Sequence, residues 1–407
     1  MASNSCSSET VSGNYIHNDI AFSILSKLPI KSLKRFGCVS KSWYRLTEDS
    51  CKNLLLSQPY GGGTALLINF YSESEKFHFL SGERFENSVS FIYPGKFSCA
   101  AEINGFMSVN GILCLHDGIY EKSLSLWNPI TEEVKNIPSS RTLLPPIVHK
   151  YKAADNFRHR TVVHGFGYDS VVDDYKVICL ETFEPHFRND EIELRKKHSW
   201  LLQDKSLQPF WKVYSLKSDS WKKLHVNMPR ASIMDGNFQV YMDGVCHWLS
   251  TPQSVGFPLQ LYVGTCVVSF DLNKETFLVT PVPSYVIFTR THLLVFNDSI
   301  ALISFPDHTQ TFHISILDEI GVKESWIKLF TVEKPCACVG IPMGVGMNGE
   351  IVFANKDNEL LLFDLNTKKI VELGIKRRDG WCLGQVKVYK KSLIPIKRNL
   401  LFHRFYS

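Results

Sequence analysis

The chain has 407 residues, 44% of them apolar and 21% charged, with a formal net charge of +5; this composition suits a folded body of more than one domain and excludes extensive disorder. The charge is modest and no long basic block carries it, so no nucleic-acid partner is expected, and no apolar run approaches the length of a membrane span. The 11 cysteines are scattered behind a polar N-terminal stretch without a secretory pattern, so they are expected as reduced thiols in the cytoplasm or nucleus.

Residues 1–14 read as a disordered leader, and helical periodicity begins at Asn18, a good N-cap followed by Asp19 at the positive helix end. Ile20, Ile24, Leu25 and Leu28 share one face at 3.6-residue spacing, and Pro29 ends the helix. Leu33, Phe36 and Val39 form the stripe of a second helix, and Ser40 can cap a third that carries Trp43 and Leu46. Three helices within residues 15–56 bury too little surface to be stable alone, and no metal ligands or paired cysteines support them. A partner surface is therefore expected. Between Ile20 and Thr47 stand six basic residues, Lys27, Lys31, Lys34, Arg35, Lys41 and Arg45, and no acidic one, which favours an acidic partner.

The string DIAFSILSKLPIKSLKRFGCVSKSW from Asp19 resembles the F-box, in particular its plant form. Ile16-His17 stand where the family has Leu-Pro, and Phe22 where it has an acidic residue. The resemblance implies that Ile20, Leu25, Leu28, Pro29, Leu33, Phe36, Val39 and Trp43 dock a Skp-type adaptor, which connects the chain to a cullin and a ring subunit.

From about Gly61 the pattern changes to alternation punctuated by Gly, Asn, Asp and Pro, the mark of an all-β domain. A turn followed by a buried strand recurs as NGILCLHD, DYKVICLE, DGVCHWLS, NDSIALIS and NGEIVFAN. Between these fall strand, polar turn and return strand: SLWNPITEEVKNIP, VYSLKSDSWKKL, VSFDLNKETFLVTPVP, ISILDEIGVKESWIKL and LFDLNTKKIVEL. Phe270, Ile316 and Phe363 follow one another at about the length of one four-stranded propeller blade. Strands left over at 64–80 and in VKVYKKSLIPI would close the ring from both ends and remove its exposed edges. The expected fold is a small all-α F-box followed by an all-β propeller at 61–396 and a tail at 397–407. Six blades fit best; seven are required if residues 138–210 hold another, and an open two-sheet sandwich is the runner-up.

GFGYDSVVDDYKV, VYSLKSDSW, DGVCHWL, VVSFDL, ESWIKLF and KKSLIPI resemble, in order, the plant F-box-associated domain, which includes S-locus F-box and kelch-like proteins. This resemblance implies a domain that binds the protein to be ubiquitinated. Two insertions break the even spacing, Ser139–His164 and Glu184–Pro209. They carry the candidate substrate contacts His149, Tyr151, Phe157, Arg158, Phe187, Arg188 and Trp200, aromatic groups mixed with positive charge.

Enzymatic signatures fail in context. GVGMNG at Gly344–Gly349 is followed by strand pattern rather than helix, so it reads as a hairpin turn with Asn348-Gly349 at positive φ. Cys336 and Cys338 lack further ligands at zinc spacing. Asn297-Asp298-Ser299 reads as a turn, His149, His159, His164, His186 and His198 as exposed loop residues, and Trp127, Trp221, Trp248 and Trp326 as core. The expected function is that of a non-catalytic substrate receptor without cofactor or metal. The rivals are a propeller enzyme, a hydrolase or oxidase, and an F-box scaffold outside any ligase.

Overall fold

The computed structural model describes residues 18–25, 36, 39 and 43 and, between 64 and 396, the strands with most of their short turns. The segments 96–104, 117–123, 145–156, 186–206, 227–238, 251–264, 284–290, 305–310, 334–338 and 377–384, with some shorter stretches, lie outside the described residues. The chain divides into two compact units, Met1–Gly63 and Thr64–Ser407.

In the first unit, helix α1 spans Asn18–Leu25. The apolar stripe of the sequence divides there: Ala21 and Leu25 are buried, whereas Ile20 and Ile24 are 58% and 54% exposed.

The second unit is a propeller of six four-stranded antiparallel sheets. Blade 1 consists of β1 (Thr64–Asn69), β2 (Lys76–Ser81) and β3 (Asn87–Ile92), completed by β24 (Gln385–Lys390) as its innermost strand. Thr64 pairs with Lys390 and Asn69 with Gln385, so both ends of the domain meet in one sheet. Blade 2 holds β4 (Gly105–Val109), β5 (Ile112–His116), β6 (Leu124–Asn128) and β7 (Glu133–Asn136). Blade 3 holds β8 (Phe157–Asp169), β9 (Asp174–Pro185), β10 (Phe210–Ser215) and β11 (Ser220–Lys223). Blade 4 holds β12 (Gln239–Met242), β13 (Val245–Ser250), β14 (Cys266–Asp271) and β15 (Thr276–Pro281). Blade 5 holds β16 (Thr291–Phe296), β17 (Ser299–Ser304), β18 (Thr311–Leu317) and β19 (Trp326–Glu333). Blade 6 holds β20 (Val339–Val345), β21 (Ile351–Asn355), β22 (Glu359–Phe363) and β23 (Ile370–Lys376). Residues 138–210 therefore hold no seventh blade among the described residues; their surplus length lengthens the β8–β9 hairpin.

Each second strand is buried on both faces because neighbouring blades pack on either side of it. In β1, Ala65 and Leu67 point into the core shared with blade 2, while Leu66 and Ile68 point into the core shared with blade 6. This is why these strands read as continuous apolar runs rather than as clean alternation.

Antiparallel order places the first-to-second and third-to-fourth turns of every blade on one face. They are built by a repeated device. Asn128, Asp169, Asp271 and Asp364 each end a strand or follow it directly, and their side-chain oxygens accept the amides two and three residues on. Four residues after each, Glu132, Asp173, Glu275 and Lys368 take positive φ of 53–60°. The inner turns Asn110-Gly111, Asp243-Gly244 and Asn297-Asp298 have positive φ at both central residues, matching the twist of a two-residue hairpin. Gly349, but not Asn348, is at positive φ in the β20–β21 turn.

Candidate functional site

Apart from the eight-residue β18–β19 connection, the turns of one face are short, and the longer connections, 93–104, 117–123, 137–156, 186–209, 224–238, 251–265, 282–290 and 377–384, leave strand ends at the other face. Two polar constructions are built into that side.

The first is an arm on blade 3. Strands β8 and β9 have 13 and 12 residues, against 4–8 in the remaining strands, and their surplus length rises on the long-connection side. Phe183 of the arm packs with Leu143 and Leu144 at the base of one insertion and with Leu207 and Phe210 at the base of the other. Beneath this small core lies Glu181, fully buried. Its carboxylate accepts from Thr161 Oγ1 at 2.9 and 3.1 Å and from Ser140 Oγ at 3.3 Å, and pairs with His159 Nε2 at 2.6 Å. Lys212 Nζ donates to both Glu181 Oε1 and Ser140 Oγ and lies 4.4 Å from the centroid of the Trp221 ring. The His159 ring stacks on Phe183 at 5.3 Å and 12°. A carboxylate so fully engaged and sealed holds an architecture together rather than transferring protons.

The second construction crosses the axis. Lys387 on β24, the inner strand of blade 1, donates to the carbonyl of Gln239 at 3.1 Å. Gln239 opens β12, the inner strand of blade 4, diametrically opposite in the ring. Gln239 Nε2 donates in turn to Val163 O of blade 3 at 2.5 Å. His116, the last residue of β5, belongs to the same end, and burial followed by the Lys387 charge lowers its pKa to about 4. Burial lowers Lys387 to about 8.

The structure corrects part of the insertion reading. Phe157 and Arg158 are not loop residues; they begin β8 and pair with Pro185 and Glu184. His159 and His164 are buried rather than exposed. The His164 ring lies 4.6 Å from Trp211 and 5.0 Å from Trp248, and burial holds its pKa well below the usual range. The signal for this was present in RTVVHGFGYD, a strand pattern reaching back past Gly165. His149, Tyr151, Phe187, Arg188 and Trp200 lie outside the described residues, as do His186, His198, Cys336 and Cys338. Trp127 and Trp248 are core residues, whereas Trp221 and Trp326 are half-buried. Their indole N–H groups donate to Pro138 O at 2.7 Å and Pro281 O at 3.0 Å, tying each outer strand to the preceding blade.

Burial raises the thiols of Cys114, Cys179, Cys246 and Cys266, to about 12 for Cys179 and about 11 for Cys266, which makes them poor nucleophiles. Among the described residues, no group of three or more His, Cys, Asp or Glu is placed to hold a metal ion, and no helix is long and apolar enough to cross a membrane.

In the N-terminal unit, Ile20, Phe36 and Val39 expose 58%, 38% and 66% of their surface. The Phe36 and Trp43 rings lie 5.7 Å apart, and Trp43 is half-buried. Leu25 is buried, while Leu28, Pro29 and Leu33 lie outside the described residues.

Residues 16–55 match the F-box domain and residues 65–381 match the F-box associated beta propeller domain. F-box protein CPR1 of Arabidopsis thaliana is 26% identical over 377 residues, covering 88% of this chain and 84% of that protein. An F-box/kelch-repeat protein of the same plant is 23% identical over 328 residues, covering 76% and 77%. Among solved structures, an oligogalacturonate lyase in complex with manganese aligns at 12% identity and a TM-score of 0.37, over 75% of this chain and 77% of its own. The Dos1 propeller aligns at 9% and 0.35, over 81% and 78%. At that distance these structures say nothing about chemistry. The chain belongs to the F-box proteins that carry an F-box-associated β-propeller domain.

Proposed function

We propose that the chain is the substrate receptor of a Skp-cullin-F-box ubiquitin ligase, acting in the cytoplasm or nucleus. The F-box binds the Skp-type adaptor and through it the cullin and ring subunit. The propeller holds a protein substrate whose lysines are thereby kept near the ubiquitin-charged enzyme. The receptor contributes proximity and no reacting group. The observation that carries this reading is the pairing, in one chain, of an F-box match at 16–55 with a propeller match at 65–381. The exposed apolar side chains Ile20, Ile24, Phe36 and Val39 fit it, since an apolar surface left over by so small a module is what a partner would cover.

Co-purification with a Skp-type adaptor tests the first half. Val39→Asp together with Trp43→Ala is expected to abolish adaptor binding while the circular dichroism of the β-domain is retained; retention of the adaptor by this double variant would overturn the assignment. For the substrate half we propose the two insertions that carry His149, Tyr151, Phe187, Arg188 and Trp200, whose flanking strands end on the long-connection face. Replacing 145–156 and 186–206 by short glycine-serine links, with the arm kept, should preserve adaptor binding and lose substrate captured under proteasome inhibition. Capture that survives the exchange would move recognition to the short-turn face.

A further inference from the structure

After β24 the chain crosses from blade 1 to blade 2 on the short-turn face. Ser392 O and Ile394 O both accept from Asn128 Nδ2, at the β6–β7 turn, and Ile396 N donates to Glu133 Oε2 at 2.7 Å. Ile396 is buried in the core shared by blades 2 and 3, together with Phe166 and Tyr175 and, at its margin, Tyr168. Those three residues flank the β8–β9 turn. The segment that follows Ile396 therefore starts beside the innermost turn of blade 3.

That turn differs from its counterparts. Where an Asn or Asp accepts the amides two and three residues on, those residues are Ile130 and Thr131, Val171 and Val172, Asn273 and Lys274, and Asn366 and Thr367. Asn273, Lys274, Asn366 and Thr367 are polar and exposed, Thr131 is buried, and Ile130 packs onto the core. Val171 and Val172 are apolar and yet 74% and 41% exposed. The surroundings are acidic. Asp169 pairs with Lys176 and Asp219 with Lys135, which leaves Lys217 against Glu132, Glu133, Asp173 and Asp174 at the short turns of blades 2 and 3. Lys217 Nζ donates to Val172 O at 2.8 Å. Blade 4 adds the exposed Asp243, in a turn tied to this one through Tyr241 OH, which donates to Tyr168 O at 2.7 Å and accepts from Gly244 N at 3.1 Å.

Residues 397–407 lie outside the described residues and read KRNLLFHRFYS. Lys397, Arg398 and Arg404 are cationic, Leu400, Leu401, Phe402, Phe405 and Tyr406 are apolar, and no residue is acidic. An exposed apolar turn in acidic surroundings and a basic, apolar segment that starts beside it are complementary in both respects. We propose that residues 397–407 fold back over the β8–β9 turn of the same chain, covering Val171 and Val172 and setting their cations among Asp173, Asp243 and Glu132. Val171 is three residues from Tyr168 and hence within about 11 Å of it, whereas a segment of this length spans up to about 36 Å, so reach does not limit the contact. Tethering also holds the segment at an effective concentration on the order of millimolar, which a second copy of the chain does not match in dilute solution. The contact requires neither the adaptor nor a protein substrate, and it closes this part of the short-turn face to other chains.

Limited trypsin digestion of the full chain reads the contact, because Lys397, Arg398 and Arg404 are cleavage points within the segment. Cleavage there is expected to be about tenfold slower in the unaltered chain than in Val171→Ser with Val172→Ser, the loss that follows from removing two partly covered valines. Hydrogen exchange of the Val171 and Val172 amides gives the reciprocal measurement. It should quicken in Leu400→Ser with Phe402→Ser, a variant that leaves every described residue of the ring unaltered and keeps the test decisive if the valine variant folds poorly. The proposal is overturned if trypsin cuts the segment equally fast in the unaltered chain and the valine variant, or if exchange at Val171 and Val172 is the same with and without the substitutions at Leu400 and Phe402. It is also overturned if protection grows with protein concentration, which would assign the turn to the segment of a second copy.

Discussion

On the short-turn face, blade is stitched to blade through hydrogen bonds that begin at turns. Asn128 Nδ2 donates to Ser392 O and Ile394 O, each at 3.0 Å. Lys176 Nζ bonds Asp169 Oδ2 at 2.8 Å and Leu272 O at 2.7 Å, and Tyr241 OH donates to Tyr168 O at 2.7 Å. On the opposite face the ties lie deeper, at Glu181 and at Lys387, and the connections above them are long. The same antiparallel alternation that shortens one set of links leaves the other set free to lengthen without breaking a sheet. A scaffold built this way fixes its architecture with one face and can vary its contacts on the other.

Loss of the strand that serves both faces should cost the most. Deleting residues 386–407 removes nearly all of β24 and leaves β1 with an unpaired edge facing the axis. Aggregation is expected on size-exclusion chromatography; a soluble monomer with unaltered circular dichroism would show that the ring does not depend on closure.

The next effect isolates the deep tie of the long-connection side. Glu181→Ala leaves the Lys212 ammonium buried without its carboxylate, at a cost of about 3–5 kcal/mol. Glu181→Leu with Lys212→Met should recover most of that loss in thermal or denaturant unfolding. If the single and double variants are equally unstable, the cluster matters for its shape and not for its charge.

The smallest effect belongs to the short-turn side and depends on pH. Burial raises the Asp169 carboxyl, but the Lys176 ammonium and the amides of Val172 and Val171 outweigh it, so the net pKa falls below the usual carboxylate value. A carboxylate lowered on folding adds stability above its unfolded pKa of about 3.9 and loses it as pH falls through the folded value. Asp169→Asn should therefore cost on the order of 1–3 kcal/mol at pH 7, and the gap to the unaltered chain should narrow below about pH 4. A gap independent of pH would mean that Asp169 acts only as a turn former.

The legible part of the fold was its punctuated part. Buried second strands and the outer hairpins carry turn residues with a definite backbone demand, such as Asn110-Gly111 and Asp271, so their order and the closure by VKVYKK could be read from the residues. Inner strands were harder: β12 is only QVYM, and β20 contains Pro342 and two glycines, Gly340 and Gly344. The strand β3, NSVSFI, is half polar because its outward face meets solvent. The arm was hidden for another reason. Arg158, His159 and Arg160 resemble loop residues in type, yet pairing with β9 and the carboxylate of Glu181 hold them in a strand. In α1 the periodicity was visible but its division was not, since Ile20 and Leu25 are equally apolar and only packing decides which is covered. Neither bridge across the axis nor buried ion cluster is local in sequence, so neither left a pattern to find.

Building blade 1 from both ends of the domain also has a temporal consequence. Thr64 pairs with Lys390, so during synthesis β1 leaves the ribosome long before its inner neighbour exists. At roughly 5–20 residues per second the delay is on the order of tens of seconds, far longer than hairpin formation. Throughout that interval the nascent ring is open, with one apolar edge unsatisfied. A chaperone that binds extended apolar segments would find its target there, and prematurely terminated chains would be recognisable by the same edge.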